Sequence, residues 1–213
     1  MSEAALAEKR IENIEEIHGQ DPAELARADF YSILAKLFYN PPTSEFISFI
    51  ADLPAHNAGS HNAMALSWRE LQKKLRNADL AELNEEFNAL FIGVGRGELL
   101  PFGSWYQTGF MMDRPLSMLR DDLKTLGFER HDDVKEPEDH VAALCESMAM
   151  IIRSGEDIPF ATQQRFFSDH LEAWMGRFFD DLNEAKTAKI YKSVGKFGRA
   201  FFDFETQYFD MMV

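Results

Sequence analysis

Between Lys186 and Met211 the chain reads KTAKIYKSVGKFGRAFFDFETQYFDM, and Ile190, Val194, Phe197, Phe201, Phe204 and Tyr208 are spaced 4, 3, 4, 3 and 4 apart. That heptad-like seam is too short for a coiled coil and predicts a central helix of a bundle. The same helical spacing extends toward the N-terminus. Phe166, Phe167, Leu171, Trp174 and Phe178 predict one long helix over Thr162–Leu182. Val141, Leu144, Cys145, Met148 and Ile152 predict another, ended by Ser154-Gly155. Leu116, Leu119, Leu123 and Leu126 share one face of a helix opened at Asp113 and closed by Gly127.

Earlier segments carry recognisable start signals. Asp79 and Glu82 have the capping-box spacing, ahead of an apolar face formed by Leu83, Phe87, Leu90 and Phe91. Asp21-Pro22-Ala23-Glu24 combines a capping aspartate, a proline at the first helical position and a glutamate in the first turn. The helix it opens holds Ile33, Leu34, Leu37 and Phe38 and stops at Asn40-Pro41-Pro42. Further helices are expected over Ser44–Asp52 and Ala63–Arg76, separated by a loop through Leu53–His61. A first one carries Leu6, Ile11, Ile14 and Ile17 before Gly19. No alternating strand pattern and no internal repeat occurs. The expected fold is all-α: about nine helices around one core, a single domain over residues 1–213, with short loops except at Ile92–Gly109.

Composition narrows the function. Of 213 residues, 46% are apolar and 27% charged, an ordinary globular balance. Lysine and arginine total 22 against 36 acids, a net charge of −14, which argues against nucleic acid as a partner. The single cysteine, Cys145, excludes an intrachain disulfide framework and thiolate-ligated zinc or iron–sulfur sites. Met1–Gln20 is charged throughout and has no apolar core of a signal peptide, and no stretch reaches the ~20 apolar residues of a membrane span. A cytoplasmic protein without stable membrane insertion is expected.

Enzyme signatures are weak. A di-iron carboxylate bundle needs Glu-x-x-His at two places, and the chain does not have two. The residues of the Glu136, Glu138, Asp139 and His140 cluster point too far apart on a helix to converge on one ion, so no metal is expected. Gly93-Val94-Gly95-Arg96-Gly97 is glycine-rich but follows a helix and lacks the strand–turn–helix setting of a dinucleotide loop. Ser104 sits in Phe-Gly-Ser-Trp, not in Gly-x-Ser-x-Gly. Cys145 lies in an apolar stripe, where an inert buried thiol is expected. No catalytic residue and no cofactor is expected.

Two segments exceed what folding alone requires. Ile92–Gly109 holds five glycines, Pro101, Phe102, Trp105 and Tyr106 with Phe110 just beyond, against a usual connection of ~4–6 residues. Glu136–His140 would serve a helix start, with Pro137 in the first turn and acids near the free amides. One acid would suffice for that, and the surplus forms an anionic rim suited to guanidinium groups. An apolar aromatic loop beside an acidic rim fits a peptide with both arginines and a hydrophobic stretch.

Glu86-x-x-x-Leu90-Phe91-x-Gly93, Pro101-Phe102-Gly103-Ser104-x-Tyr106, Pro115-Leu116-x-x-Leu119-Arg120 and Glu136-Pro137-Glu138-Asp139-His140 follow one another in that order. In these motifs the chain resembles the TorD/DmsD/NarJ family of cytoplasmic chaperones for molybdenum-containing oxidoreductases, the redox enzyme maturation proteins. Phe102 stands where that family often has tyrosine or tryptophan. The resemblance implies an all-helical, non-catalytic protein. Its partner would be the catalytic subunit of a molybdoenzyme, held by its twin-arginine signal peptide until the molybdopterin cofactor is inserted, so that export does not occur early. Carried over by position, the implied peptide-binding residues are Phe91, Pro101, Phe102, Gly103, Ser104, Trp105, Tyr106, Glu136, Pro137, Asp139 and His140. Alternatives are an assembly chaperone for a client without a twin-arginine leader, as in the NarJ branch, a structural scaffold, or a guanine-nucleotide hydrolase using Gly93–Gly97.

Overall fold

A computed structural model of the chain describes residues 21–53, 62–131 and 134–211. The helix expected through Leu6–Ile17 and most of the Leu53–His61 loop lie outside these residues. Ten α-helices are present among the described residues: α1 Pro22–Tyr39, α2 Ser44–Asp52, α3 Ala63–Arg76, α4 Leu80–Phe87, α5 Gly103–Thr108, α6 Arg114–Thr125, α7 Val141–Arg153, α8 Phe160–Phe167, α9 Met175–Glu184 and α10 Tyr191–Met211. There is no strand among them, and the one β-type feature is an isolated bridge between Phe102 and His140.

The sequence signals for helix starts operate as read. Asp21 Oδ1 accepts from the amide of Ala23 at 2.9 Å, with Pro22 at the first position. Asp79 accepts from Ala81 and Glu82 at 2.9 and 3.0 Å. Helix α1 packs chiefly against α7, while α10 packs against α9 and α3. Tyr31 against Phe201 (4.9 Å between ring centres) and Phe38 against Phe178 (5.3 Å) interlock α1 with α10 and α9. Leu71, Leu83, Leu90, Leu144, Cys145, Met148 and Phe167 complete the same core.

Four expectations need correction. Helix α10 begins at Tyr191, not near Lys186, because the carboxylate of Glu86 accepts from the amides of Lys189, Ile190 and Tyr191 at 2.6, 3.1 and 2.8 Å and forms the helix start in trans. Val194, Phe197 and Phe201 of the seam are buried as expected, but the buried face also takes in Tyr191, Gly198, Phe202, Glu205 and Phe209, the period of a straight helix, so Phe204 is 40% exposed. A straight α-helix drifts ~20° per heptad from the 3.5-residue repeat that the aromatic spacing suggested. The expected Thr162–Leu182 helix is two helices, since α8 ends in a π turn over Ser168–Glu172 and the chain breaks at Ala173-Trp174. Ile92–Gly109 is not wholly loop: it contains α5. The Leu126–His140 connection is long as well, which the sequence did not suggest.

One buried charge pair joins the first described helix to the last. Arg27 donates from Nε and Nη2 to the two oxygens of Glu205, both at 2.7 Å, and from Nη1 to Glu24 at 2.7 Å. Its guanidinium also lies 4.0 Å from the ring centre of Tyr208. With Arg27 and Glu205 both buried, removing one partner strands the other charge. Arg27→Leu should therefore lower the unfolding free energy by about 3–5 kcal/mol in urea titration, with most recovered in Arg27→Leu/Glu205→Leu. A loss below about 1 kcal/mol in the single variant would show that the pair is not what ties α1 to α10.

Candidate functional site

The two segments singled out in the sequence, 35 residues apart, meet. The amide of Gly103 donates to the carbonyl of Asp139 at 2.8 Å, and the amide of Val141 to the carbonyl of Pro101 at 2.9 Å. The carboxylate of Asp139, only 3% exposed, accepts from the amide of Ser104 at 2.7 Å through Oδ2. Asp139 thus caps α5 from a distant part of the chain and lies ahead of its own helix, because α7 begins at Val141 with His140 as its cap. The expected helical position of Pro137 and Asp139 is corrected accordingly: Pro137 opens a turn in which its carbonyl accepts from the amide of His140 at 3.1 Å. The other carboxylate oxygen of Asp139 is buried without a hydrogen-bond partner.

The acids of this motif have separate tasks. Glu138 receives Arg120 through Nε and Nη2 at 3.0 and 2.8 Å, and Arg130 stands 3.8 Å away. Partial burial opposes its charge, but the hydrogen bond and charge of Arg120, helped by Arg130, leave its carboxyl below the usual range. Only Glu136 faces solvent. The rim of three free acids is therefore reduced to one exposed carboxylate.

Histidine 140 is a neutral cap. Its Nδ1 accepts from the amide of Ala142 at 3.2 Å, and the ring meets Phe102 edge-on at 5.0 Å. Burial pulls its pKa down to about 4. The opposing effects of helix dipole and neighbouring acids weighed in the sequence are thus overtaken by desolvation, and no charged histidine is available near neutral pH. Cys145 is buried, which pushes its thiol up, as expected of an inert side chain.

Residues after the splice reach the surface. Phe91 is half-buried at the end of a π turn over Asn88–Ile92, edge-on to Phe38, Phe87 and Tyr191. Pro101, Phe102, Gly103 and Ser104 are buried, whereas Trp105 and Tyr106 are half-exposed. Tyr106 donates to Asp181 at 2.9 Å and packs 5.4 Å from Trp174. Burial first, then the charge of Asp181, push its hydroxyl up. Ser104 Oγ accepts from the amide of Met112 at 3.1 Å, which holds Met112 in a left-handed conformation with φ 58°. That turn presents Phe110 and Met112 at 71% and 68% exposure, with Met118 at 51% on α6.

These apolar residues were missed as site candidates, although Phe110-Met111-Met112 between Gly109 and Asp113 is a visible apolar run outside any helical stripe. Among the described residues, no three His, Cys, Asp or Glu side chains gather so as to hold a metal ion. No helix among them is long and apolar enough to cross a membrane. A separate cleft of about 280 Å³, lined by residues such as Ile47, Ala51, Leu75 and Arg76, contains none of the predicted residues.

Comparison with known proteins bears on the same segments. A family model described as nitrate reductase delta subunit matches residues 57–180, which include both halves of the splice. The chain belongs to that family. Relatives named chaperone protein TorD include one from Vibrio cholerae serotype O1 strain M66-2, 25% identical over 209 residues, 88% of this chain and 93% of that protein. Another, from Psychrobacter sp. strain PRwf-1, is 28% identical over 173 residues, 73% of this chain and 78% of that protein. A crystal structure of a redox enzyme maturation protein from Archaeoglobus fulgidus has the same fold, with a TM-score of 0.50 at 18% identity, covering 88% of this chain and 96% of that one.

The depressed pKa of His140 yields a stability prediction. An unfolded histidine takes up its proton near 6.5 and the folded one near 4, so between those values the unfolded state binds more protons. The stabilisation is full above pH 6.5 and is lost progressively as pH falls toward 4, by roughly 3 kcal/mol. His140→Asn keeps a capping oxygen and removes the titration. Denaturant unfolding across this range should show a shallower acid loss for the variant. Equal pH slopes would mean that His140 is solvated rather than buried.

Proposed function

We propose that this chain is a cytoplasmic chaperone of the TorD type, which holds the twin-arginine leader of a molybdoenzyme catalytic subunit during cofactor insertion and delays its export. The observation that supports it best is the splice of Pro101–Ser104 to Asp139–Val141, which ends in an exposed strip of Phe110, Met111 and Met112 beside the half-exposed Trp105. Unbranched methionines adapt to varied apolar sequences, so such a strip suits the hydrophobic part of a leader. Trp105 and Tyr106 offer ring faces to planar guanidinium groups. The exposed carboxylate of Glu136 is the acceptor that a leader arginine would seek. Of the eleven residues implied by sequence, Trp105, Tyr106 and Glu136 are the ones proposed to touch the leader. Pro101, Phe102, Gly103, Ser104, Pro137, Asp139 and His140 build the platform beneath them, and Phe91 supports it from the π turn after α4. The role is binding, not catalysis.

A second reading is favoured by the name of the matching family, nitrate reductase delta subunit: a client without a twin-arginine leader, gripped through an N-terminal helix on the same strip. Calorimetric titration with a synthetic leader and with its Lys-Lys counterpart separates the two. Loss of the bidentate, planar arginine should weaken binding about tenfold or more. Equal affinity for both peptides would favour the second reading, and no affinity for either would remove the strip as the leader site.

A further inference from the structure

The glycine-rich segment Gly93–Gly97 has no part in the function proposed above, yet its path is closely determined. The amide of Gly93 donates to the carbonyl of Asn88 at 2.7 Å, Glu98 to Ala89 at 3.1 Å and Leu99 to Leu90 at 2.9 Å. Gly93 has φ 59°, and a Cβ there would stand 1.9 Å from the carbonyl oxygen of Arg96. A Cβ on Gly97 would stand 2.4 Å from the carbonyl oxygen of Leu90. Side chains are therefore excluded at both ends of the turn. Glu98 anchors its far side by accepting from the amides of Lys186 and Thr187 at 2.6 and 3.0 Å.

This turn delivers one side chain to the candidate site. The guanidinium carbon of Arg96 lies 5.9 Å from the ring centre of Trp105. On the next residue, the guanidinium carbon of Arg177, from α9, lies 5.3 Å from the ring centre of Tyr106. Both arginines are exposed, and both distances are within reach of a cation–π contact. Neither guanidinium is in an ion pair among the described residues, in a chain with 36 acids available. Two consecutive aromatic residues thus each carry an arginine, from two separate elements.

We propose that Arg96 and Arg177 are placeholders, internal arginines that occupy the Trp105 and Tyr106 ring faces until the adjacent arginines of a leader displace them. This rests on the reading of the strip as a leader site. Displacement exchanges one cation–π contact for another, so the empty site keeps its rings covered, and only a ligand that supplies comparable planar cations recovers the contacts it breaks. Arg96 and Arg177 are then internal competitors for the two ring faces, lowering the affinity only of a ligand whose own arginines must use them.

The test is leader binding to Arg96→Ala, Arg177→Ala and the double variant, by calorimetry. Each exposed contact removed should tighten binding of the Arg-Arg leader about two- to fivefold, and both together about 5- to 30-fold. A leader with both arginines replaced by alanine should gain nothing. The gain should persist at about 1 M salt, where the Debye length is about 3 Å. A gain that vanishes in high salt, or is equal for the alanine leader, would reduce the effect to charge repulsion or general access and overturn the proposal. Unchanged or weaker binding would do the same, making the two arginines part of the gripping surface or bystanders. If neither the wild-type chain nor any variant bound either leader, the leader-site reading would fail with it. Binding by the double variant alone would be the strongest support.

Discussion

Two backbone hydrogen bonds and one buried carboxylate, joining Pro101–Ser104 to Asp139–Val141, set where the rest of the candidate site stands. Without them α5 has no cap: Phe102 at its N-terminus offers no side-chain acceptor, and a helix of six residues does not persist alone. With them the helix is held at its start, Ser104 is fixed, and through its hydroxyl the Gly109–Met112 turn is fixed as well. The exposed apolar strip is thus the outer end of a chain of contacts that begins at a buried aspartate. The cost of that arrangement is one carboxylate oxygen left without a partner, worth about 1–3 kcal/mol for a buried polar group.

Irregular helices supply the walls. Each of the two π turns lies where a regular helix would have carried its aromatic residue elsewhere. The first, at Asn88–Ile92, places Phe91 against Tyr191 and leads into the Gly93–Gly97 turn. The second, at Ser168–Glu172, leaves the carbonyl of His170 to accept from the indole of Trp174 at 2.8 Å. Trp174 then lies beneath Tyr106. The imidazole of His170 also meets Asp122 of α6 at 2.8 Å, so α6, the second π turn and α5 are tied together under the strip. Single π turns inside α-helices are frequently found at functional sites.

Much of the fold was legible because its signals are local. Asp21-Pro22, Asp79 with Glu82, and the stripes from Leu116 to Leu123 and from Val141 to Ile152 state where helices begin and which faces they bury. What was not legible depends on residues far apart in sequence. Glu86 forms the start of α10 from 103–105 residues away, so Lys186 looked like a better boundary than Tyr191. Asp139 caps a helix 35 residues before it, so Gly103–Thr108 looked like loop and Asp139 like a first-turn residue of its own helix. The Arg27–Glu205 pair spans 178 residues and makes a charged position part of the buried face of α10. For the site, Glu136–His140 and the aromatic loop were expected to lie side by side, and the structure joins them through Asp139 and Pro101. The division of labour among Glu136, Glu138 and Asp139 follows from Arg120, Arg130 and the Ser104 amide, and none of these is written in the motif.

The account's central claim is that the surface built on this splice receives the client's leader. Hydrogen–deuterium exchange of the full chain, with and without a saturating twin-arginine leader peptide, tests it most directly. The account predicts slowed exchange at the amides of Trp105–Met112 and of Val94–Gly97, with the amides of α2 and α3 unaffected. Protection confined to the cleft between Ile47, Ala51, Leu75 and Arg76, with Trp105–Met112 exchanging as before, would contradict it.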